Sequence, residues 1–544
     1  MGVRIGNTEI TKVPIGNTLV DRIYVGTERI LPVPPIHEFV QNIVNLGGSE
    51  DVVREGYKNV DNYYKDKASY LIFPSHADKY RIYAMNNSTG NAIPVYFSRA
   101  SQGTFFDKDL NMQSAGLNEP RIDYGNYSKD VKILFEKEAA NYLRDSNFDL
   151  GLDITGGGNY SIVDYTWEVL PMFNKSAELY KNTSATCYYY KRSQTTYVTG
   201  NQYVLSAFCR TEDKQEPIIS GSSYPSNGDV LLNLPNNSPR ALKDLELIKD
   251  SIYRTSVLGT ATTNSTNQYM GFAKGVSSLE RKFYYIGYQF EDGNVMTSFI
   301  PTTNTIATRS ADEMKIGLSS VSDIYIKTVK NEYTLSGVSG VVNISEHIDE
   351  SDGILYIAVM GEIDDTYFDN QFVKGHPNMT SNTTPAPYVA YSNSSVNTTY
   401  ASWKAFDGIS GLNSRWVSLS NAFNPDGSVI GVYPYLWINQ GSTANRRRYC
   451  KMKVEVPKSE TSGYAPSPGI LSVGYSNTNN NDYIYQRTIE VTPEIWEKNN
   501  GVMEFYFDPP SVPMQYWSIS VIQNNGNTNV HVGELTLYED VNNR

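Results

Sequence analysis

At 544 residues the chain is too long for a single hydrophobic core, and the usual size of a domain divides it into about three to five. A net charge of −12 with no long Lys/Arg run repels a phosphate backbone, so nucleic acid is not an expected partner. Only 19% of residues are charged while 42 are Tyr, against 19 Phe and 6 Trp, a balance that suits polar β surfaces on which clusters of tyrosines, rather than single ones, carry functional meaning.

Residues 1–36 open with a ten-residue repeat: Ile5-Gly6-Asn7-Thr8-Glu9-Ile10, Ile15-Gly16-Asn17-Thr18-Leu19-Val20 and Val25-Gly26-Thr27-Glu28-Arg29-Ile30. Gly-Asn or Gly-Thr between β-branched runs predicts a turn between two short strands, and strands so short cannot bury a face alone. The segment is therefore predicted to dock on another chain or to drive oligomerisation, and Leu31-Pro32-Val33-Pro34-Pro35 closes it as a stiff linker. A tail that orders only on assembly fits the same residues. The start of the chain lacks the apolar core of a secretory signal, and Gly6 stands where myristoylation needs Ser or Thr. No run approaches the roughly 20 apolar residues of a membrane helix, so the expectation is a soluble protein made in a cytoplasm, without membrane insertion.

Residues 37–145 read as a β-rich connector, with strand-like runs at 70–73 and 92–97 and a short helical stretch near 131–143. From 146 to 302, alternating runs at 202–209, 252–257 and 282–287 lie between polar Gly/Asn/Ser turns and predict a β-sandwich. Residues 303–375 form a small β connector. Ser, Thr and Asn crowd 380–399, around Pro385 and Pro387, at the start of a last module over 376–544. The fold class is mainly β, with several modules in tandem. Three cysteines, Cys187, Cys209 and Cys450, imply neither a disulfide framework nor a zinc site.

Chemistry of catalysis is not nominated. The acidic runs Asp349-Glu350-Ser351-Asp352 and Glu362-Ile363-Asp364-Asp365 read as solvated turns, and His37, His76, His347, His376 and His531 are scattered without metal-ligand or triad order. The expectation is a protein that is not an enzyme.

Two resemblances give these segments a context. Phe97-Ser98-Arg99-Ala100-Ser101, Glu119-Pro120-Arg121-Ile122-Asp123, Ile133-Leu134-Phe135-Glu136 and Ala140-Asn141-Tyr142-Leu143, followed downstream by Thr297-Ser298-Phe299-Ile300-Pro301 and Ala307-Thr308-Arg309-Ser310-Ala311-Asp312, resemble a segment common in tailed-bacteriophage tail and fibre proteins. In those proteins the downstream motif closes a carbohydrate-binding-type jelly roll, which the resemblance places at 146–302. Near the C-terminus, Ala405-Phe406-Asp407-Gly408 with Arg415-Trp416, then Tyr435-Leu436-Trp437-Ile438-Asn439-Gln440-Gly441-Ser442, then Gly533-Glu534-Leu535-Thr536-Leu537-Tyr538 resemble the discoidin, or coagulation-factor C-type, module, which binds carbohydrate or lipid headgroups.

The discoidin resemblance implies largely structural roles for Trp416 and Trp437. It leaves Trp403, Tyr433 and Tyr435 as loop aromatics for a sugar face, beside Arg446 and Arg448 of the only basic cluster. It also implies a structural calcium near the Asp-Gly turn, with Asp407 and Glu534 as its side-chain ligands; the alternative is that Asp407 caps a turn and Glu534 pairs with a nearby Arg. The two resemblances together imply a virion protein released by lysis: a homotrimeric tail or head fibre that binds a host surface glycan during adsorption and other virion proteins through its N-terminus. A decoration or connector protein without glycan binding, and a glycan depolymerase, are the competing readings.

Overall fold

The computed structural model describes residues 3–5, 8–10, 13–15, 18–20, 24–25, 28–29, 36–125, 130–155, 160–179, 187–218, 229, 231–234, 241–266, 269–274, 281–348, 352–458, 463–464, 466–478 and 483–543. The fold is mainly β and divides into two compact units, Met1–Asp365 and Thr366–Arg544. Each ten-residue repeat at the start is an antiparallel hairpin: Val3–Ile5 pairs with Thr8–Ile10, Val13–Ile15 with Thr18–Val20, and Tyr24–Val25 with Glu28–Arg29. Pairing Ile5 with Thr8 leaves two residues for the turn, the spacing of a tight hairpin. The turn glycines and the 31–35 linker lie outside the described residues.

A closed ring of strands organises the rest of the first unit. Tyr70–Asp78, Arg81–Asn86 and Ala92–Ser98 are successive antiparallel neighbours. Ala92–Ser98 then pairs with the start of Glu313–Thr328, the far end of that strand pairs with Asp352–Val359, and Asp352–Val359 returns to Tyr70–Asp78. The result is a five-stranded antiparallel barrel. The 16-residue strand serves both of these neighbours because Glu313–Lys315 meet one and Ile324–Thr328 the other, and it pairs as well with Glu332–Asn343, with register shifts around Ser322 that bend it. Ile72, Ala84, Val95, Phe97, Met314, Ile326 and Ile357 fill the interior.

Successive residues of a strand face opposite ways, so Leu71, Phe73 and Tyr356 lie outside the barrel, where Phe39, Ile43, Val53 and Tyr57 from the helices Ile36–Asn45 and Glu50–Lys58 cover them. Each such large apolar side chain contributes roughly 1.5–3 kcal/mol on burial. Gly56 is required where the second helix crosses the barrel, since a Cβ there would fall 2.0 Å from the Pro74 carbonyl oxygen.

The helices of this region therefore lie at 36–67, not near 131–143 as predicted. Lys132–Phe135 and Ala139–Asn141 are strands. Ile133 and Phe135, at strand spacing, enter the barrel core while their backbone pairs with Asp352–Ile354, and this tertiary demand overrides the local helical pattern. Strands from both sides of the 146–302 segment thus share one sheet.

The 146–302 segment supplies a two-sheet antiparallel sandwich with six strands in one sheet and four in the other, packed around Tyr203, Leu205, Val257, Phe272, Tyr288 and Phe290. Its two ends meet: the Asp145 N–H donates to the Thr303 carbonyl (2.6 Å) and the Ser146 N–H to that of Thr302 (3.2 Å). At this junction the phage-like motifs converge. Asp312 receives Arg99 (3.0 Å) and Arg121 (2.6 Å), and Glu136 receives Arg121 (2.7 Å) and Arg309 (2.8 Å), with all five side chains at most 2% exposed. Burial alone would raise the Glu136 carboxyl, but Arg309 and Arg121 hold it down at about 2. Ser298 donates to Glu136 through both its backbone N–H (2.6 Å) and its hydroxyl (2.7 Å). Asn141 donates to the carbonyls of Tyr288 and Ile300.

The second unit is an antiparallel sandwich. One sheet contains Phe372–Lys374, Glu534–Asp540, Tyr449–Glu455 and Val502–Tyr506; the other contains Val389–Ser392, Tyr435–Asn439, Tyr516–Asn524, Pro468–Ser476 and Ile484–Glu490. Phe406, Trp416, Leu436, Ile438, Met452, Val473, Trp517, Ile519 and Leu537 belong to the core between them. Among the described residues no helix is long and apolar enough to cross a membrane.

Candidate functional site

The strand Tyr435–Asn439 decides which aromatics face outward. Leu436 and Ile438 are buried in the core, so Tyr435, Trp437 and Asn439 lie on the opposite face, each half-buried. The register brings Tyr391 opposite Trp437 on one side, and Ser520, Ser518 and Tyr516 opposite Tyr435, Trp437 and Asn439 on the other. Tyr391 is 46% exposed. Its ring centroid lies 5.2 Å from that of Trp437 and 6.3 Å from that of Tyr435, while Tyr516 meets Trp437 edge-on at 5.8 Å. Because Ser518 and Ser520 are small, the rings stand above the sheet as a row. From Tyr435 to Asn439 the row runs roughly 13 Å at about 3.3 Å per residue.

A polar group closes one end. Gln515 donates to Asn439 (3.2 Å) and to the Tyr516 hydroxyl (3.3 Å), and receives Arg446 (3.4 Å). At the other end Asn393 accepts from the Tyr435 N–H (2.9 Å) and donates to the Tyr433 carbonyl (3.0 Å), placing the exposed Tyr433 beside the row.

Of the five residues predicted to bind a glycan, Tyr435 and Arg446 fall on this face and Tyr433 borders it. Tyr435 is the first residue of a strand rather than a loop residue. Trp403 sits in the 3-10 turn Ser402–Ala405, half-buried against the core, with its N–H on Asn382 and the Lys404 ammonium 5.7 Å from its ring. Arg448 is turned away, with Nε donating to the Pro510 carbonyl (2.8 Å) and its backbone N–H to Glu539 (3.1 Å). Neither has a described contact with the row. Trp416 is buried, its indole N–H donating to the Ser394 carbonyl (2.8 Å), but Trp437, for which the resemblance implied a largely structural role, is the centre of the exposed face. Tyr391, Asn439 and Gln515 were not among the candidates, and Tyr516, one of the aromatics of this module, was not chosen from them. The alternation Tyr-Leu-Trp-Ile-Asn at 435–439 contained the signal for Trp437 and Asn439, since Leu436 and Ile438 claim the core.

Asp407 and Glu534 do come together. Asp407 accepts the Ile409 N–H (2.8 Å) and the Ser414 hydroxyl, and Glu534 accepts the Gly408 N–H (2.9 Å). Lys374 stands 3.8 Å from Glu534, in the place imagined for an Arg. Burial pushes the Glu534 carboxyl up to about 7; Lys374 and the Gly408 N–H oppose this, and Asp407 and Glu455 add to it. Two buried hard-oxygen carboxylates flanking an Asp-Gly turn fit calcium by donor type, with Lys374 as the cation it would compete against. No group of three His, Cys, Asp or Glu side chains able to hold a metal occurs among the described residues.

The acidic runs that the sequence predicts as solvated turns fall only partly among the described residues. Residues 349–351 lie outside them, and Glu362 accepts the Tyr70 hydroxyl (3.0 Å).

No family model and no curated protein matches the chain. Solved structures similar to part of it include the family 32 carbohydrate-binding module of Clostridium perfringens NanJ in complex with galactose, at 21% identity over 28% of this chain and 93% of that one, TM-score 0.21. Another is a family 32 module of Clostridium perfringens in complex with GalNAc-β-1,3-galactose, at 12% identity over 28% and 95%, TM-score 0.22. A third is chitosan-binding module 1 from a chitosanase/glucanase of Paenibacillus sp. IK-5, at 15% identity over 30% and 100%, TM-score 0.22.

Proposed function

We propose that the chain is a non-enzymatic glycan-binding protein and that the row Tyr391, Tyr435, Trp437 and Tyr516 is its sugar-binding face. The observation that carries this reading is the row itself: four aromatic rings on one outward sheet face, ending in an amide and guanidinium cluster. Aromatic faces take the apolar CH face of a pyranose, and Asn439, Gln515 and Arg446 supply donors and acceptors for its hydroxyls. A glycan array probed with the full chain tests it. Trp437→Ala and Tyr391→Ala are each expected to weaken binding at least tenfold, about 1.4 kcal/mol, whereas Trp403→Ala leaves it within a factor of two or so. An array without any glycan-dependent signal, or one unchanged by the Trp437→Ala and Tyr391→Ala pair, would sink the reading.

The proposal includes the particular setting that the sequence resemblances imply: a bacteriophage tail or head fibre, homotrimeric, attached to other virion proteins through the N-terminal hairpins and binding host glycans during adsorption. Repetition of the face on three chains would let weak sites hold a cell surface. Immunogold labelling of the particle and light scattering of the purified chain test location and stoichiometry. New reducing ends from purified capsule would favour the depolymerase instead. Calcium at Asp407 and Glu534 also belongs to the proposal: it is expected to raise the melting temperature of the wild type but not of Asp407→Asn.

A further inference from the structure

The two ends of the aromatic row in the second unit are too far apart for one sugar. The exposed Tyr433 borders the row at Tyr435, held there by Asn393, and Gln515 and Arg446 stand at Asn439. Tyr435 and Asn439 are the first and last residues of one strand, roughly 13 Å apart at about 3.3 Å per residue. A pyranose is a six-membered ring like those that would face it, so a unit bonded to Gln515 leaves Tyr433 and Tyr435 bare. Centroid separations of 5.2, 5.8 and 6.3 Å within the row set the rings side by side, the arrangement in which successive units of a chain each meet a ring.

The surface past the row is open at both ends. Val432 and Tyr433 lead away from one end, 74% and 49% exposed, and Ser442, Thr443 and Ala444 beyond the other are exposed as well. A chain that overruns the row in either direction therefore passes over solvent-facing residues, and no chain terminus is needed for it to lie there.

The form of the chain follows from the tilt of the rings and the charge beside them. Tyr391 is inclined 43° to Tyr435 and 39° to Trp437, and Tyr516 stands at 78° to Trp437. Rings so inclined follow a single chain that turns about its axis, and they do not lie flat on the face of a crystalline polysaccharide. Arg446 puts a cation at the Gln515 end, which repels a chain of free amines. Equatorial linkages keep a chain extended and leave the CH faces of successive units bare, whereas axial linkages coil it.

We infer that the row binds an internal stretch of a linear, equatorially linked polysaccharide without free amines, over at least three consecutive units, rather than a terminal sugar. The inference rests on the glycan reading of this face and adds the length and form of the ligand.

Titration calorimetry of the full chain with cello-oligosaccharides and N-acetylated chito-oligosaccharides of one to six units tests it, with glucosamine oligomers as the cationic control. In at least one of the first two series affinity is expected to rise at least tenfold up to about four units and then to level off, with glucosamine oligomers at least tenfold weaker. Tyr435→Ala and Gln515→Ala, at opposite ends of the row, should each bring the plateau to a shorter chain. Soluble glycol chitin or hydroxyethyl cellulose of increasing length should take up several copies of the protein per polymer molecule. The inference is overturned by equal affinity for one unit and six, by one copy per polymer whatever its length, by glucosamine oligomers bound as tightly, or by no binding to either series from a protein that binds other glycans on the array; each of these leaves the glycan reading standing. An array without any signal removes that reading, and the inference with it.

Discussion

His376 shows how much a single side chain can be told by its neighbours. Its Nε2 accepts the Leu537 N–H (3.2 Å) and its Nδ1 lies 3.0 Å from the Pro377 carbonyl, so the ring is neutral with its proton on Nδ1. Burial, reinforced by the charge of Lys374, lowers its pKa from 6.5 to about 3. The unfolded chain takes up this proton from about pH 6.5 downward and the folded chain does not. The stability contribution is therefore whole above 6.5 and falls by about 1.4 kcal/mol per pH unit on acidification toward 3. Glu534 runs the other way: raised to about 7, it favours the folded state at low pH, and that contribution is lost as pH rises from 4.5 to 7. Melting the wild type and His376→Gln between pH 7.5 and 5 should show a shallower loss on acidification in the variant; parallel curves would refute the assignment. None of this was legible in the sequence, where His376 is one of five scattered histidines. Trp437, by contrast, was legible: its neighbours Leu436 and Ile438 fix its face, and the expectation drawn from family resemblance was weaker than the alternation itself.

At the level of elements, the motifs that made the sequence resemble phage fibres turn out to be one object. Arg99, Arg121 and Glu136 come from one stretch of the chain and Arg309 and Asp312 from another, with ion pairs between the two spanning 173 to 213 residues, and they meet as a buried ionic network where strands of the barrel and the sandwich join. Periodicity located the strands, but which charges would be buried depends on contacts that only the closed barrel creates. The same dependence misassigned 131–143 as helical. Removing one member of such a network leaves charges buried without their partner, at a cost of about 3–5 kcal/mol. Arg121→Leu is accordingly expected to lower the melting transition of the first unit by several degrees while that of the second stays fixed, as followed by calorimetry. A shift of both transitions, or of neither, would contradict a network confined to the first unit.

For the molecule as a whole, the tandem β architecture could be read from strand-length runs and turn residues, while the backbone hydrogen bonds that join residues 145–146 to 302–303 are a property of the folded chain. The closure of the barrel could not be read, because its strands stand on both sides of a long excursion: Ser98 and Glu313 are register partners although 214 residues separate them. Such a pairing has a developmental and an evolutionary side. During synthesis the first three barrel strands must wait, edges unsealed, until everything between has emerged, so the intervening sandwich folds before its platform can close. Once closed, the platform meets both ends of the excursion side by side, and a different sandwich could be spliced between the same two positions with little loop-closure penalty. The barrel is in this sense a socket, and recombination at its rim could change the domain it displays while leaving the socket intact.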